Sequence, residues 1–572
     1  SEVSPNVLLA FIAGNSVEYI EAVNDAELGI LLTNRLREYT GDQTLPKPDR
    51  ILKSTWLTDK FFRGAYSSLG LLSRFDDFTV LSEPLPSTSI HRLLFAGEAT
   101  TPAERTEARD ENSSHTSKKF EVVIIGGGMA GMSAAEHLIR NGLKNIAIFE
   151  AKERLGGRIL TDYSFAENAA IELGAQWIHG ATVANNIYNL ANIQGLIKDE
   201  KCTTLKGTFL LKGGKVVDDE FIESLKKEFG KINCEKANFS NVEQCFNQQF
   251  VKISSKFAES EKEVLSAAFN VFKLSRMGFD GSELNSVLAG VEPYTYMPCD
   301  LDTIEGNDKF IELLKQNISD EQIYLNHEVV NIAWDENEVI LTVKHKNLTK
   351  FVIAEYVICT IPLGVLKNQS SLLFTPQLPP RKLKAITNLN AGKVVKVFLY
   401  FNKPFWTRNQ LNLLILGVSD DEYEQGYKEW IHRVAFFRES EVSPNVLLAF
   451  IAGNSVEYIE AVNDAELGIL LTNRLREYTG DQTLPKPDRI LKSTWLTDKF
   501  FRGAYSSLGL LSRFDDFTVL SEPLPSTSIH RLLFAGEATT PAGYGTMHGA
   551  RESGIREANR LIWQMYNEVS SN

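Results

Sequence analysis

Three glycines and one acid carry the first recognisable chemistry in this chain. Gly126, Gly128 and Gly131 stand in GxGxxG spacing, and Glu150 follows at the end of a second apolar run. Glycines so spaced permit a tight turn and bring a pyrophosphate close to a helix N-terminus, while the acid can accept hydrogen bonds from ribose hydroxyls. The elements that must position them surround them. Val122–Ile125 is β-branched and of strand length, Met132–Ile139 has helical spacing, and Asn145–Phe149 is a second short apolar run. Strand, glycine turn, helix, strand and acid together predict a dinucleotide-binding βαβ unit.

The next turn bears on which dinucleotide. Arg154-Leu-Gly156-Gly157-Arg158 is a second glycine pair flanked by arginines. Small residues beside a guanidinium make a second phosphate-contacting turn, which a nicotinamide enzyme does not need at this point. Taken alone, the same five residues also read as a surface turn.

Three side chains elsewhere could do chemistry. Lys396 sits in Val394-Val-Lys-Val-Phe-Leu-Tyr400, where alternation places it on one face with Val394 and Phe398. It is either an edge-strand gatekeeper or a buried lysine that needs partners. His179, in Trp-Ile-His-Gly, is a near-neutral titrating group or a structural histidine. Tyr505 reads from its type alone as a core aromatic, and its place in a site comes from the resemblance that follows.

At these residues the chain resembles a family. The GxGxxG with ExxxRxGGR is similar to the flavin amine oxidases. Glu172-Leu-Gly-Ala-Gln-Trp-Ile-His-Gly180 looks like their polyamine oxidase branch, of the animal spermine oxidase or N1-acetylpolyamine oxidase type. Cys359–Lys367, Lys393–Trp406, Trp495–Ser506 and Leu533–Ala558 fall in the family's order, so the resemblance covers Lys118 to Asn572. It implies an α+β fold: a Rossmann-like FAD-binding domain with an interleaved substrate-binding domain of mixed sheet and helices. It also implies oxidation of a C–N bond, with hydride transfer to flavin, hydrolysis of the imine and reduction of O2 to hydrogen peroxide.

Carried over residue by residue, the resemblance assigns Gly126, Gly128, Gly131, Glu150 and Arg158 to the AMP and pyrophosphate. Gln176 and Trp177 go near the flavin ring, Val329 meets the adenine through its backbone, and Glu537 and Thr546 close the other side. Lys396 would hold a water against flavin N5 and His179 would position an amine nitrogen. Tyr505 forms an aromatic wall, while Thr546 stands where monoamine and plant-type enzymes have a second aromatic. Ala504 occupies the position of the flavin-bonding cysteine of monoamine oxidases, so FAD is expected to be non-covalent. Other amine or amino-acid oxidases of this fold, or an inactive FAD-binding scaffold, are the alternatives. An arginine placed to clamp a carboxylate would mark the amino-acid enzyme.

The chain has 572 residues, a formal net charge of −13, 43% hydrophobic and 23% charged residues. This composition supports a folded core and argues against nucleic acid as a partner. No apolar run is long enough for a transmembrane helix; the partners that the resemblance implies are a polyamine and O2. Five cysteines outside CxxC spacing indicate neither a zinc site nor a dense disulfide framework. The amphipathic stretch from Asp218 to Leu288 should roof the substrate pocket.

One repeat is present and it is not a fold repeat. Ser1–Ala103 recurs without substitution as Ser440–Ala542. Identity of this length means either a very recent duplication or an error in assembling the chain from its gene. The first copy stops in mid-motif at Ala103 and runs into a polar linker, 104–118. The expected organisation is a non-functional or artefactual copy over 1–103, an FAD-binding domain from 119–198, 300–368 and 524–567, and a substrate-binding domain from 199–299 and 369–523. A cytoplasmic location is expected. Secretion remains open because the true N-terminus can be missing; Ser-Ser-Asn at the end is not a peroxisomal signal.

Overall fold

The computed structural model describes residues 20–54 other than 41 and 52, and 119–571 other than 181, 183, 198–206, 235–238, 291–299, 304, 335–337, 407–412, 427 and 527–528. The chain divides into two units, 1–115 and 116–572.

In the first unit the helix Asp25–Thr40 forms with the same local bonds as its twin Asp464–Thr479 in the second. Asn24 Oδ1 accepts the N–H of Glu27 at 3.0 Å, as Asn463 does that of Glu466. Arg37 Nε donates to Leu45 O at 3.0 Å, as Arg476 does to Leu484 O. Local sequence thus forms the helix in both places. Burial differs: Leu36 is 44% exposed, whereas its equivalent Leu475 is 1% exposed. Arg474 is likewise buried, its guanidinium bonded to Glu422, a residue outside the repeat. The second copy has tertiary partners that the repeated sequence does not itself supply.

The second unit is α+β, built on two large sheets. In the first sheet β1 (Lys119–Ile125) is the inner strand, with Val122, Val123 and Ile124 fully buried. It pairs in parallel with β2 (Ile146–Phe149) on one side and with Leu348–Cys359 on the other. Leu348–Cys359 pairs in parallel with Leu532–Phe534 and antiparallel with Val339–His345, which continues to Glu328–Trp334. The short strands Ile323–Tyr324 and Phe374–Thr375 close the two edges. The chain therefore returns to one sheet from widely separated stretches.

Between β1 and β2 runs α1 (Met129–Arg140). The spacing predicts a helix from Met132, but α1 begins directly after Gly128 and encloses Gly131 in its first turn. A Cβ on Gly131 would stand 2.0 Å from Gly126 O, so only glycine lets the helix start this close to the strand end. The C-terminal helix Met547–Ser571 packs across α1 just as closely, since a Cβ on Gly554 would stand 2.1 Å from Ala130 O.

The second sheet orders Arg489–Lys492, Val394–Tyr400, Val446–Ala452, Phe436–Glu439, Leu413–Leu416, Gly207–Leu211 and Lys215–Val216. Val394–Tyr400 is paired on both sides, so the edge-strand reading of Lys396 fails. Helices Asp219–Phe229, Val242–Ser254 and Lys262–Asp280 bury their apolar faces in a core shared with this sheet, as the periodicity of Asp218–Leu288 anticipates. A disulfide joins Cys234 to Cys245 there, which cysteine spacing does not indicate. Among the described residues no helix is long and apolar enough to cross a membrane, and no cluster of metal-ligating side chains occurs.

Candidate active site

The carboxyl ends of β1, β2, Leu348–Cys359 and Leu532–Phe534 open on one side of the first sheet, where doubly wound folds bind their ligands. A cavity of about 630 Å³ lies there and extends to the face of the second sheet. Every site residue singled out in the sequence lines it except Gly131, which acts through packing.

Two glycine turns form its dinucleotide end. Gly156 N–H donates to Gly127 O at 2.8 Å, and Gly128 pairs with Gly156 in a parallel bridge. A Cβ on Gly157 would approach Gly128 Cα to 3.3 Å, so the turns stack only without side chains. The flanking arginines divide their work. Arg154 donates to the carbonyls of Leu155, Gly157 and Ile159 and shapes the turn, while Arg158 reaches the cavity wall. Of the two arginines, only Arg158, the one assigned to the pyrophosphate, lines the cavity. Glu150 accepts the N–H groups of Gly127 at 2.7 Å and Lys152 at 2.8 Å. Burial raises its pKa, and those two N–H groups and nearby Arg154 and Lys152 oppose the rise. Val329 lines the same end, beside a bulge in the pairing of Glu328–Trp334.

Glu537 knits the far wall. Its Oε1 accepts from Arg158 at 2.9 Å, and its Oε2 accepts from Ser506 Oγ at 2.5 Å and Gly545 N–H at 2.8 Å. Thr546 is the N-cap of the last helix: its hydroxyl donates to Gly543 O at 2.7 Å and accepts Gly549 N–H at 3.1 Å. That hydroxyl is therefore engaged by the cap, and the site gains the helix N-terminus rather than a second ring. His548, next in this turn, is buried with its Nε2 unpartnered; burial and nearby His179 push its pKa down to about 4.

The second-sheet end carries Lys396, Trp177, His179 and Tyr505. Lys396 is 5% exposed. Its Nζ donates to Glu172 O at 3.0 Å, Gly174 O at 2.8 Å and Gln176 Oε1 at 2.9 Å. Burial lowers its pKa, with Glu172 and Asp302 opposing and Arg438 reinforcing. Two cations approach the Trp177 ring, Lys396 Nζ at 5.1 Å and the Arg438 guanidinium at 5.6 Å from its centroid. His179 Nδ1 is 2.9 Å from Asp300 Oδ1, two residues held opposite each other by pairing of Trp177–His179 with Asp300–Asp302. The Tyr505 hydroxyl donates to Gly278 O, which fixes its ring at the wall; burial, then Asp280, raise its pKa.

Sequence reasoning did not assign Glu172, Asp300, Asp302, Arg433 or Arg438. Glu172 stands inside a motif that is recognisable from sequence. Asp300 and Asp302 follow no pattern and reach the site through strand pairing alone. Arg433 and Arg438 flank the second copy with no motif of their own.

The fold and this cavity define an FAD-binding oxidoreductase. The model for flavin-containing amine oxidoreductases matches residues 2–105 and 129–562, and the chain belongs to that family. It is similar to "Protein anon-37Cs" of Drosophila lebanonensis, 31% identical over 80% of this chain and 90% of the relative. It is also similar to the peroxisomal N(1)-acetyl-spermine/spermidine oxidase of Bos taurus, 28% identical over 77% and 94%. A putrescine oxidase structure solved with putrescine bound shares the fold at TM-score 0.57 and 20% identity, covering 78% of this chain and 99% of that one. The protein is an FAD-dependent amine oxidase. The residues present fit the cofactor. Two helix N-termini, at Met129 and Met547, open on the cavity, and a Cβ on Gly536 at its wall would stand in open space.

Proposed function

We propose that this enzyme oxidises a polyamine, spermine or an N-acetylated polyamine, at a carbon beside a secondary nitrogen. One observation carries the reading: the arginines that reach the cavity are matched by the chain's own carboxylates. Arg433 donates to Glu283 and Arg438 to Asp302, each at 3.4 Å. Neither is presented as a bare clamp for a substrate carboxylate, which weighs against the amino-acid oxidase. Asp300 on the same wall keeps 43% side-chain exposure beside His179 and offers an acceptor to a cationic nitrogen. The names of the relatives point the same way.

FAD, when bound, supplies the two-electron acceptor to which the substrate's Cα–H is lost as hydride. The chain's residues prepare that event. Gly126, Gly128, Glu150, Arg158 and Val329 hold the nucleotide, and Gln176, Trp177, Glu537 and Thr546 bound its other half. Tyr505 offers its ring to the amine, and the His179–Asp300 pair orients the nitrogen, which must be neutral at the reacting centre. The imine then takes up water and splits to an aldehyde and a shorter amine, while O2 receives two electrons and two protons to become hydrogen peroxide. Lys396 sits where a proton can be held at Nζ on the cavity wall. A water at Nζ has to displace one of three acceptors, and Gln176 Oε1 is the one carried by a side chain, its Nε2 held by Asp302 at 3.3 Å.

We read the FAD-binding domain as 119–198, 300–368 and 524–567, the substrate-binding domain as 199–299 and 369–523, and 1–103 as dispensable. The Cys234–Cys245 bridge favours an oxidising compartment over the cytoplasm. Product analysis after incubation with spermine and N1-acetylspermine tests the function. An aldehyde, a shorter amine and one peroxide per turnover support it; an FAD-loaded protein yielding no peroxide from any amine supports the inactive scaffold instead.

A further inference from the structure

The geometry around Lys396 points to a residue that acts through it. Its three acceptors are two main-chain carbonyls and an amide oxygen, none of which bears charge. A buried ammonium needs a counter-charge as well as hydrogen bonds. The charged groups that bear on Lys396 are Glu172, Asp302 and Arg438. Asp302 already has a cation, Arg438, which it shares with Glu441 and whose guanidinium donates to its Oδ2 at 3.4 Å, and its Oδ1 accepts from Gln176 Nε2 at 3.3 Å. That leaves Glu172.

The Glu172 side chain is built for this. The residue is 7% exposed and does not line the cavity that Lys396 lines. Its Oε1 accepts from Thr161 Oγ1 at 2.9 Å and Asn307 N–H at 2.5 Å, while its Oε2 is buried with no hydrogen-bond partner. Asp308 also bears on it and opposes its ionisation, and the Tyr163 hydroxyl donates to Asp308 at 2.7 Å. An acid with an unpartnered buried oxygen is tolerated when a cation shares its environment. The same residue presents its main-chain carbonyl to Nζ, so one short strand, Ile171–Glu172, brings both groups to the lysine.

We infer that Glu172 is a positioning residue for Lys396: its buried carboxylate is the lysine's counter-charge and sets the pH at which Nζ carries its third proton. Two protonation patterns of the pair, ammonium with carboxylate and amine with carboxylic acid, contain the same number of protons. Lys396 can thus change charge at the cavity wall while the buried pair keeps its net charge. The shifts agree in direction, since burial raises the Glu172 pKa and lowers that of Lys396 while each opposes the other's shift.

This inference rests on the reading that Lys396 borders the cofactor, but not on the substrate, and its test uses no amine. The flavin absorbance of the FAD-loaded resting enzyme is titrated with pH in the parent, Lys396→Met, Glu172→Gln and Glu172→Asp. The parent should show a transition that Lys396→Met abolishes. Glu172→Gln should retain FAD and move that transition down by about one pH unit or more, because the lysine has lost its counter-charge. Glu172→Asp keeps the charge and should stay within about half a unit of the parent. A parent spectrum without a Lys396-dependent transition, or a Glu172→Gln transition coincident with the parent's, overturns the inference. Should Glu172→Gln fail to fold, Glu172→Asp alone decides: a parent-like transition supports the charge role, and a displacement of about one unit or more overturns it.

Discussion

Arg158 and Glu537 lie 379 residues apart in the chain, and the guanidinium donates to the carboxylate at 2.9 Å. The same carboxylate holds Ser506 and the Gly545 turn. One acid therefore ties the second glycine turn, the segment after Tyr505 and the start of the last helix into one wall. The repeated copy contains Glu98, which falls outside the described residues, but its sequence leaves the motif at Ala103 and never reaches a Gly545 or Thr546. Only the second occurrence has all the partners this clamp uses.

Deleting residues 1–117 should accordingly leave FAD content and turnover per flavin unchanged and raise solubility, since the copy repeats apolar runs such as Val7–Ala13 without the clamp's remaining partners. The ratio of flavin to protein absorbance and a turnover assay on the truncated chain check this. Loss of flavin, or of more than about half the activity, would show the copy to be structural, for example as an exchanged element between chains.

The purified enzyme should be yellow with non-covalent FAD. Ala504 carries only a methyl group, and its carbonyl accepts from Arg158 at 2.9 Å. Acid precipitation should release flavin to the supernatant; flavin retained in the pellet would contradict the reading.

Replacing Lys396 by Met should preserve FAD binding, because the stem packs in a paired strand and neither of the two glycine turns takes a hydrogen bond from its Nζ. Flavin reduction or reoxidation in stopped flow should slow at least ~10-fold, corresponding to ~1.4 kcal/mol of barrier. Rates within about twofold of the parent would remove Lys396 from the reaction.

The sequence made the βαβ unit and the order of site motifs legible because each is local: glycine spacing, strand period and an acid in register. The start of α1 was misplaced because a glycine in its first turn looks like loop until the strand it must approach is known. Lys396 could be placed on a strand, but whether that strand was inner or edge depends on Val446–Ala452 and Arg489–Lys492, distant in sequence. Thr546 was legible as a site residue and not as a helix cap. The Cys234–Cys245 pair, the acids at 300 and 302 and the guanidiniums at 433 and 438 depend on tertiary pairing that no periodicity encodes.

Stability should fall in mild acid partly through His548. Its folded pKa is depressed to about 4 from 6.5, so the unfolded chain binds the proton first as pH drops. The neutral histidine's contribution is complete above the unfolded value and is lost as pH falls from there toward 4. Between pH 7 and 5 the parent should lose about 2 kcal/mol more than His548→Gln. Thermal unfolding of both proteins across that range checks the difference; parallel pH dependences would show that His548 does not carry it.

A cavity that selects a polyamine, as proposed, is tested most directly by comparing kcat/KM among amines. Peroxide release from spermine, N1-acetylspermine, benzylamine and a panel of amino acids should favour spermine or the acetylated polyamine by about 100-fold or more over the rest, the discrimination expected of roughly 3 kcal/mol of differential transition-state binding. Its kcat/KM should rise toward alkaline pH as the reacting nitrogen loses its proton. Equal or better turnover of benzylamine or of any amino acid, by enzyme carrying a full complement of FAD, would contradict the account.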